Sequence, residues 1–204
     1  MMDFEINSDS VGDPARFVSL LELERGLTSL PPQPRDEGKV VLIVRRLMDG
    51  RRELLSEVDL SPELGVPGDS WGRQKGKKLD AQIATMQADV AKLIANGQSL
   101  ALFGDSLFLD LDLSEANLPA QSQVQVGEAV LDVSPLPHNG CVKFKSRFGQ
   151  DALRFVAMSE RRHLNLRGIY LRVISPGVVR VGDLVRVLKR NSNEASVGDT
   201  QGKD

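Results

Sequence analysis

The sequence predicts a mostly β fold, a barrel or a sandwich decorated with a few α-helices. The first observation is a set of apolar, β-branched runs that are each only a few residues long. The second is that turn signals separate these runs, at Asp49-Gly50, Gly127-Glu128, Pro176-Gly177 and Gly182-Asp183. The third is that only a few segments carry apolar residues at helical spacing.

The first elements follow a polar N-terminal segment. Apolar residues at helical spacing predict a helix over residues 14–30, which Pro31 and Pro32 end. The run at residues 40–47 predicts a buried strand, and the Asp49-Gly50 turn leads to a returning strand over residues 53–60. Two arginines, Arg45 and Arg46, end the first strand. They either face a functional site or are solvated, and solvation is the commoner case at strand ends.

A loop over residues 60–73 then carries two prolines and three glycines, which implies a specific backbone path. It contains Asp69 and Trp71. The tryptophan is equally well interpreted as the wall of a pocket or as an anchor that fixes the loop to the core.

The middle of the chain predicts one helix followed by strands. Asp80 is placed to cap a helix over residues 81–96, and Gly97 is placed to end it. Short apolar strands follow at residues 100–103 and 107–113. Asp110 and Asp112 alternate with apolar residues in the second run, so we expect solvent-facing carboxylates rather than a metal pair.

The last strands are separated by clear turns. Residues 124–126 and 129–133 predict a tight hairpin around Gly127, and strands follow at residues 168–174 and 184–188.

The stretch PLPHNGCVKFKSRFG, residues 135–149, holds the single cysteine, Cys141, and one of two histidines, His138. Two prolines delay regular structure until Asn139, which we expect to cap a short helix that ends at Gly149. Cys141 would then lie in the first turn, where the helix dipole and the cations Lys143, Lys145 and Arg147 favour a thiolate. A strand would place the same four residues on one face, with the same electrostatic effect. A second short helix is predicted over residues 151–158.

The alternative for Cys141 is a buried, inert thiol, which is common for free cysteine. The neighbouring cations and loop residues favour a reactive thiol in a basic pocket instead. The residue pattern alone does not name a substrate.

Composition excludes several classes of protein. With 204 residues and a net charge of -2, the chain is long enough for a real core and shows no excess of basic residues that would indicate nucleic-acid binding. One cysteine excludes an internal disulfide and a multi-cysteine zinc site. The sequence shows no signal peptide and no apolar run near the roughly 20 residues of a membrane span, so we expect a cytoplasmic protein.

Four segments follow one another in the order LFGDSLFLDLDLSEANLP, VGEAVLDVSPLP, HNGCVKFKSRFG and LRGIYLRVISPGVVRVGDLVRVL. The order of these motifs resembles the MOSC domain, which forms the C-terminus of molybdenum-cofactor sulfurases and also occurs as free-standing bacterial proteins. The upstream segments VVLIVRR and GVPGDSW resemble the family's leading strand and loop more loosely.

This resemblance implies a strongly bent, closed β-barrel, with Cys141 in the position of the family's cysteine. In sulfurase relatives that cysteine is proposed to carry sulfur as a persulfide, and in amidoxime-reducing relatives it ligates molybdenum. The implied partners are the molybdenum cofactor, molybdopterin, or a protein that donates or accepts sulfur. The residues implied to bind the cofactor are His138, Asn139, Lys143, Arg147, Asp69, Trp71 and Arg167.

The implied function is therefore a sulfur carrier or a molybdenum-cofactor-binding protein that acts through Cys141, with a small molybdenum-dependent reductase as one form. The alternative is a non-catalytic binding module with a structural cysteine. Trp71 departs from the histidine that often follows the family's Gly-Asp pair. The motifs include no pyridoxal-phosphate domain, so we expect that this chain does not release sulfur from cysteine itself.

The expected domain organisation has three parts. Residues 1–39 form an N-terminal tail, helix and linker that pack on the barrel, and residues 40–190 form the MOSC-like β-barrel. Residues 191–204 are polar and unpatterned and are expected to be a disordered tail.

Overall fold

The computed structural model describes residues 11–191 and shows a β-barrel with helices packed against its outside. The helices are α1 (Leu20–Ser29), α2 (Ala88–Ala95) and α3 (Val142–Ala157). The strands are β1 (Glu37–Arg46), β2 (Arg52–Leu55), β3 (Glu57–Leu60), β4 (Ile83–Gln87), β5 (Leu107–Asp110), β6 (Gln123–Val126), β7 (Ala129–Val133), β8 (Ile169–Ser175), β9 (Gly177–Arg180) and β10 (Leu184–Lys189).

Seven strands close the barrel in the order β10, β6, β7, β8, β4, β5 and β1, because β1 also pairs with β10. The long strand β1 makes this closure with its first residues and pairs with β5 and the short strand β2 further along. All pairings in the sheet are antiparallel except that between β4 and β5. Strands β3 and β9 form a separate two-stranded ribbon.

Two apolar cores result from the alternation of side chains along the strands. The inner core fills the barrel with residues such as Ile43 and Leu171. The outer core lies between the barrel and the helices, and it includes Met86, Phe108 and Phe148 of α3. The predicted fold class, a closed β-barrel decorated with a few helices, is confirmed.

The predicted helix over residues 81–96 is wrong in its first half. Ile83 to Gln87 form strand β4, and the helix begins only at Ala88, so Asp80 does not cap it. Strand β4 pairs on both sides and Ile83, Ala84, Thr85 and Met86 are all buried. A strand that is buried on both faces lacks the alternating pattern of a half-exposed strand, so its apolar residues also fit a helical stripe.

Three other predicted elements differ in detail. The N-terminal helix is interrupted, because a 3-10 turn at Pro14–Arg16 is followed by α1, which begins with a capping box between Ser19 and Glu22. Residues 53–60 form two strands, since β2 stays on β1 whereas β3 turns away to β9. Leu100–Phe103 form a 3-10 helix instead of a strand.

The helix after the cysteine was predicted well, except at its start. Cys141, and not Asn139, occupies the N-cap position of α3. Gly149 interrupts the helix with a φ of 91° and separates the two helical segments that the sequence predicts. Its backbone conformation disfavours other residues, and Phe17 packs against it.

The three-part domain organisation stays a prediction. The predicted tail lies outside the described residues except for Asn191, whose side chain donates to the carbonyl of Ala120. No helix within residues 11–191 has the length and apolar composition needed to cross a bilayer.

Candidate functional site

Cys141 lies at the start of α3, and aromatic packing fixes the position of that helix. Phe148 of α3 stacks on Phe103 with ring centroids 4.1 Å apart, and Phe144 packs against both rings. The cysteine itself is exposed and makes no capping hydrogen bond. The structure therefore presents the thiol at the surface, which contradicts the interpretation of Cys141 as a buried, inert residue.

The thiol opens onto a groove of about 510 Å³, which we call the basic groove. Its lining residues are Arg46, Leu47, Met48, Asp49, Gly50, Arg52, Ser70, Gly104, Cys141, Lys143 and Arg147. The β1–β2 hairpin places Arg46 directly opposite Arg52. Like charges in that arrangement repel, so the hairpin pairing concentrates positive charge at this site.

Two guanidinium groups converge above Gly104. A Cβ on this glycine would lie 3.6 Å from Nη1 of Arg147 and 3.8 Å from Nη2 of Arg52. Gly104 has a φ of 81°. The absent side chain leaves an open space between two cations, which is an arrangement suited to an anion.

Within residues 11–191, two arginines of the groove, Arg46 and Arg52, differ in how far their charges are neutralised. Arg46 pairs with Asp69 at 2.6 Å, and despite burial this carboxylate raises the pKa of the arginine. The pKa of Arg52 is lowered to about 10 by burial and by repulsion from Arg147 and Arg46. Arg52 pairs with no carboxylate in residues 11–191, and its Nε is buried without a hydrogen-bond partner. The groove therefore carries positive charge that an anionic ligand would neutralise.

The two loop residues predicted for this site, Asp69 and Trp71, are buried beside the groove and do not line it. Asp69 is buried and accepts hydrogen bonds from the Arg46 side chain and from the backbone N–H groups of Arg46 and Trp71. Trp71 is 3% exposed, its indole N–H donates to the Lys78 carbonyl, and it is outside the groove lining. The geometry thus favours the anchor interpretation of Trp71.

Two predicted residues, His138 and Arg167, belong to a buried polar cluster with Asp105 and Tyr170, which we call the Asp105 cluster. Arg167 Nη1 lies 2.8 Å from Asp105 Oδ2, and these side chains are 8% and 0% exposed. His138 Nδ1 lies 3.6 Å from Asp105 Oδ1, and the imidazole packs on the Tyr170 ring at 4.3 Å. Burial, followed by the charge of Arg167, lowers the pKa of His138 to about 3. His138 is therefore neutral at physiological pH.

The structure consequently divides the predicted site residues. Cys141, Lys143 and Arg147 line the basic groove, whereas His138, Asn139 and Arg167 line a separate cavity of about 460 Å³. The backbone between residues 138 and 141 forms the boundary. Lys145, two residues after Lys143, lines neither space.

Sequence reasoning missed Arg52, Gly104 and Asp105, and it favoured a solvated side chain for Arg46. A signal was available for the arginines, since Arg46 and Arg52 flank the predicted Asp49-Gly50 turn and a hairpin would bring them together. Gly104 and Asp105 had no such signal, because only the tertiary fold brings them to α3.

Comparison with known proteins agrees with this architecture. A crystal structure titled only as a hypothetical protein superposes with a TM-score of 0.56 at 19% identity, over 83% of this chain and 79% of that chain. The YUAD protein from Bacillus subtilis gives a TM-score of 0.52 at 17% identity, over 76% of this chain and 97% of the other. YiiM from Escherichia coli gives 0.50 at 21% identity, over 76% and 72%. These similarities show the fold alone.

The comparison with curated proteins found no match. The family model described as MOSC domain matches residues 76–186, which is more than half of the chain. This match includes strand β4, the Gly104-Asp105 pair, Cys141 and Arg167. The chain therefore belongs to the MOSC domain family.

Proposed function

We propose that this chain binds the molybdenum cofactor in the basic groove and that Cys141 is the thiolate that ligates the metal. The observation that carries the proposal is the exposed Cys141 thiol in a groove that also contains Arg52, whose charge has no carboxylate partner in residues 11–191. A soft sulfur ligand and an anion site in one groove match the two ends of a phosphate-bearing pterin with bound molybdenum.

The residues of the groove fit this cofactor in chemical type. Arg52, Arg147 and Lys143 would hold the phosphate, and Gly104 leaves space between the two guanidinium groups. Asp69 fixes the direction of Arg46, which also donates to the Gly104 carbonyl at 3.1 Å. The bound cofactor would supply the redox chemistry of molybdenum.

The test is cofactor content in protein purified from its own host. We expect molybdenum and pterin in the natural protein, loss of molybdenum in Cys141→Ala, and weaker retention of pterin in Arg52→Ala. The matched pair Lys143→Ala and Lys145→Ala isolates the groove, because both side chains are exposed but only Lys143 lines it. Loss of one charge-assisted hydrogen bond should weaken binding by about 1.5–3 kcal/mol in the first variant only.

Two results would overturn the proposal. Equal cofactor retention in the Lys143 and Lys145 variants, together with no effect of Arg52→Ala, would remove the groove as the binding site. Equal molybdenum content in Cys141→Ala would indicate a binding module that holds the cofactor without a thiolate ligand.

A persulfide carrier is the second candidate, and the exposure of the groove rim favours it. Met48 and Val142 are 84% and 81% exposed next to the thiol, so a protein partner could reach Cys141. The Cys141 thiolate would attack the outer sulfur of a donor persulfide, which forms Cys141–S–SH and releases the donor thiolate. No other oxidant is needed. A mass increase of one sulfur atom on Cys141, reversed by a thiol reductant, would support this role.

The partner and the location follow from the same proposal. A sulfur donor or acceptor protein is the partner expected for a carrier, and a cytoplasmic location would keep a single thiol reduced. Cell fractionation with an antibody against the chain would test the location.

A further inference from the structure

The second cavity, of about 460 Å³, shares no lining residue with the basic groove. It lies between the end of α3, the loop at residues 118–120 and the loop that carries His138. Apolar side chains form much of its wall, among them Leu118, Val133, Val156, Met158, Leu166 and Ile169. Polar side chains, among them Glu115, His138 and Arg162, form the rest of the wall. The size of the cavity and this mixed lining suit a small organic molecule that has both an apolar body and polar groups.

His138 gives this cavity one directed polar group. Its side chain is 6% exposed and makes no hydrogen bond within residues 11–191. Nδ1 faces the Asp105 carboxylate, so the neutral ring carries its proton there and Nε2 is left as an acceptor. Nε2 is not fully buried, and the residue lines the cavity. A ligand with a hydrogen-bond donor at its inner end would satisfy it.

A cation lies at the rim of the same cavity. Arg162 is exposed and lines the cavity, and its side chain forms no ion pair with any described residue. Glu115 also lines the cavity and is likewise exposed. The Arg167 charge is already paired with Asp105. Arg162 is therefore the group that would bind an anionic end of a ligand, and Glu115 would oppose it.

We propose that this cavity binds a small aromatic hydroxy acid. The hydroxyl would donate to His138 Nε2, the ring would lie between the apolar walls, and the carboxylate would pair with Arg162. A rigid ring holds the two polar groups apart without loss of conformational freedom on binding. The proposal goes beyond the proposed cofactor site, since it uses neither Cys141 nor the groove arginines.

The experiment uses three matched probes and isothermal titration calorimetry with the full chain. The probes are 4-hydroxybenzoate, benzoate, which lacks the hydroxyl, and 4-hydroxybenzyl alcohol, which lacks the charge. We expect 4-hydroxybenzoate to bind about tenfold more tightly than either relative, since each lacks one hydrogen-bonding group. The preference over benzoate should disappear in His138→Phe, and the preference over the alcohol should disappear in Arg162→Ala.

Arg154→Ala is the control, because Arg154 is an exposed arginine of α3 that does not line the cavity. It should leave all three affinities unchanged, whereas Glu115→Gln should strengthen binding of both acids. No measurable binding of 4-hydroxybenzoate, or equal affinity for the three probes, would overturn the proposal. If His138→Phe does not fold, the affinities of the three probes for the natural protein still test the proposal.

Discussion

The basic groove and the Asp105 cluster meet at two adjacent residues, Gly104 and Asp105, but they hold positive charge in opposite ways. In the cluster, Arg167 lies against a carboxylate that is completely buried. In the groove, Arg46 pairs with the buried carboxylate of Asp69, but Arg52 pairs with no carboxylate of residues 11–191. The one acid among the described lining residues, Asp49, pairs with Arg51 at the surface. The cluster is therefore neutralised within the fold, whereas Arg52 of the groove is not.

This difference distinguishes a charge that is paired within the fold, that of Arg167, from a charge that can bind a ligand, that of Arg52. A buried cation without a partner is costly, so the fold supplies Asp105 where solvent cannot reach. In the groove, solvent or a bound anion can neutralise Arg52, so the repulsion between arginines persists at a smaller cost. The two regions should therefore respond in opposite directions when one charge is removed.

Asp105→Asn should have the largest effect on stability. It leaves the Arg167 charge buried without its partner, which should lower the free energy of unfolding by about 3–5 kcal/mol. Urea unfolding followed by circular dichroism measures the change. Glu57→Gln is the control, because it breaks an exposed pair with Arg180 and should cost less than about 1 kcal/mol. Equal effects of both substitutions would show that the cluster is not a neutralised structural unit.

The free energy of unfolding should depend on pH because the pKa of His138, a member of the Asp105 cluster, differs between the folded and unfolded chains. Its pKa of about 3 lies below the unfolded value of 6.5 because burial and the charge of Arg167, with a smaller effect of Arg46, outweigh the attraction of Asp105. Between these values the unfolded chain binds a proton that the folded chain does not. The contribution of neutral His138 to the free energy of unfolding is therefore fully present above pH 6.5. It decreases as the pH falls towards 3, by about 1.4 kcal/mol for each pH unit.

His138→Gln isolates this contribution from that of the carboxylates. The difference in unfolding free energy between the natural protein and the variant should depend on pH in that window and should be constant above it. Tyr170, which packs on the imidazole, stays protonated throughout, since burial raises its pKa. A difference that does not change with pH would mean that His138 is protonated in the folded protein.

Gly104→Ala should act on both regions, with a moderate effect. The φ of 81° disfavours alanine by about 1–2 kcal/mol, so stability should fall by a similar amount. The new methyl group would also occupy the space between Arg52 and Arg147, so phosphate should stabilise the variant less than the natural protein. Thermal unfolding with and without phosphate tests both effects. An undiminished response to phosphate would place the anion elsewhere.

Elements that depend on local residues could be predicted from the sequence, and elements that depend on distant contacts could not. The fold class and the two helical segments of α3 could be inferred, because local rules for proline, glycine and turn residues determine them. The proline pair at 135 and 137, the Phe144 and Phe148 spacing and the Gly149 break all describe the structure correctly. Strand β4 could not be inferred, because its burial depends on neighbours that are distant in sequence.

The sequence predicts one site, but the structure divides its residues between the basic groove and a separate cavity. Proximity in sequence suggested that His138 and Cys141 share a pocket, but the backbone between them turns their side chains to different spaces. The partner that decides the role of His138 is Asp105, which lies 33 positions earlier in the chain. A single sequence contains no signal for such a contact.

Arg52→Met should have the smallest effect on stability and the opposite sign. The substitution removes a cation that Arg147 and Arg46 repel, together with a buried Nε that has no hydrogen-bond partner. The free energy of unfolding should therefore stay constant or rise by up to about 1 kcal/mol. Arg180→Met, at an exposed ion pair, is the control and should lower stability slightly.

Phosphate at constant ionic strength should stabilise the natural protein and Arg180→Met, because it binds the folded state, and should stabilise Arg52→Met much less. A clear loss of stability in Arg52→Met, with an unchanged response to phosphate, would show that this arginine supports the fold and does not bind an anion in the groove.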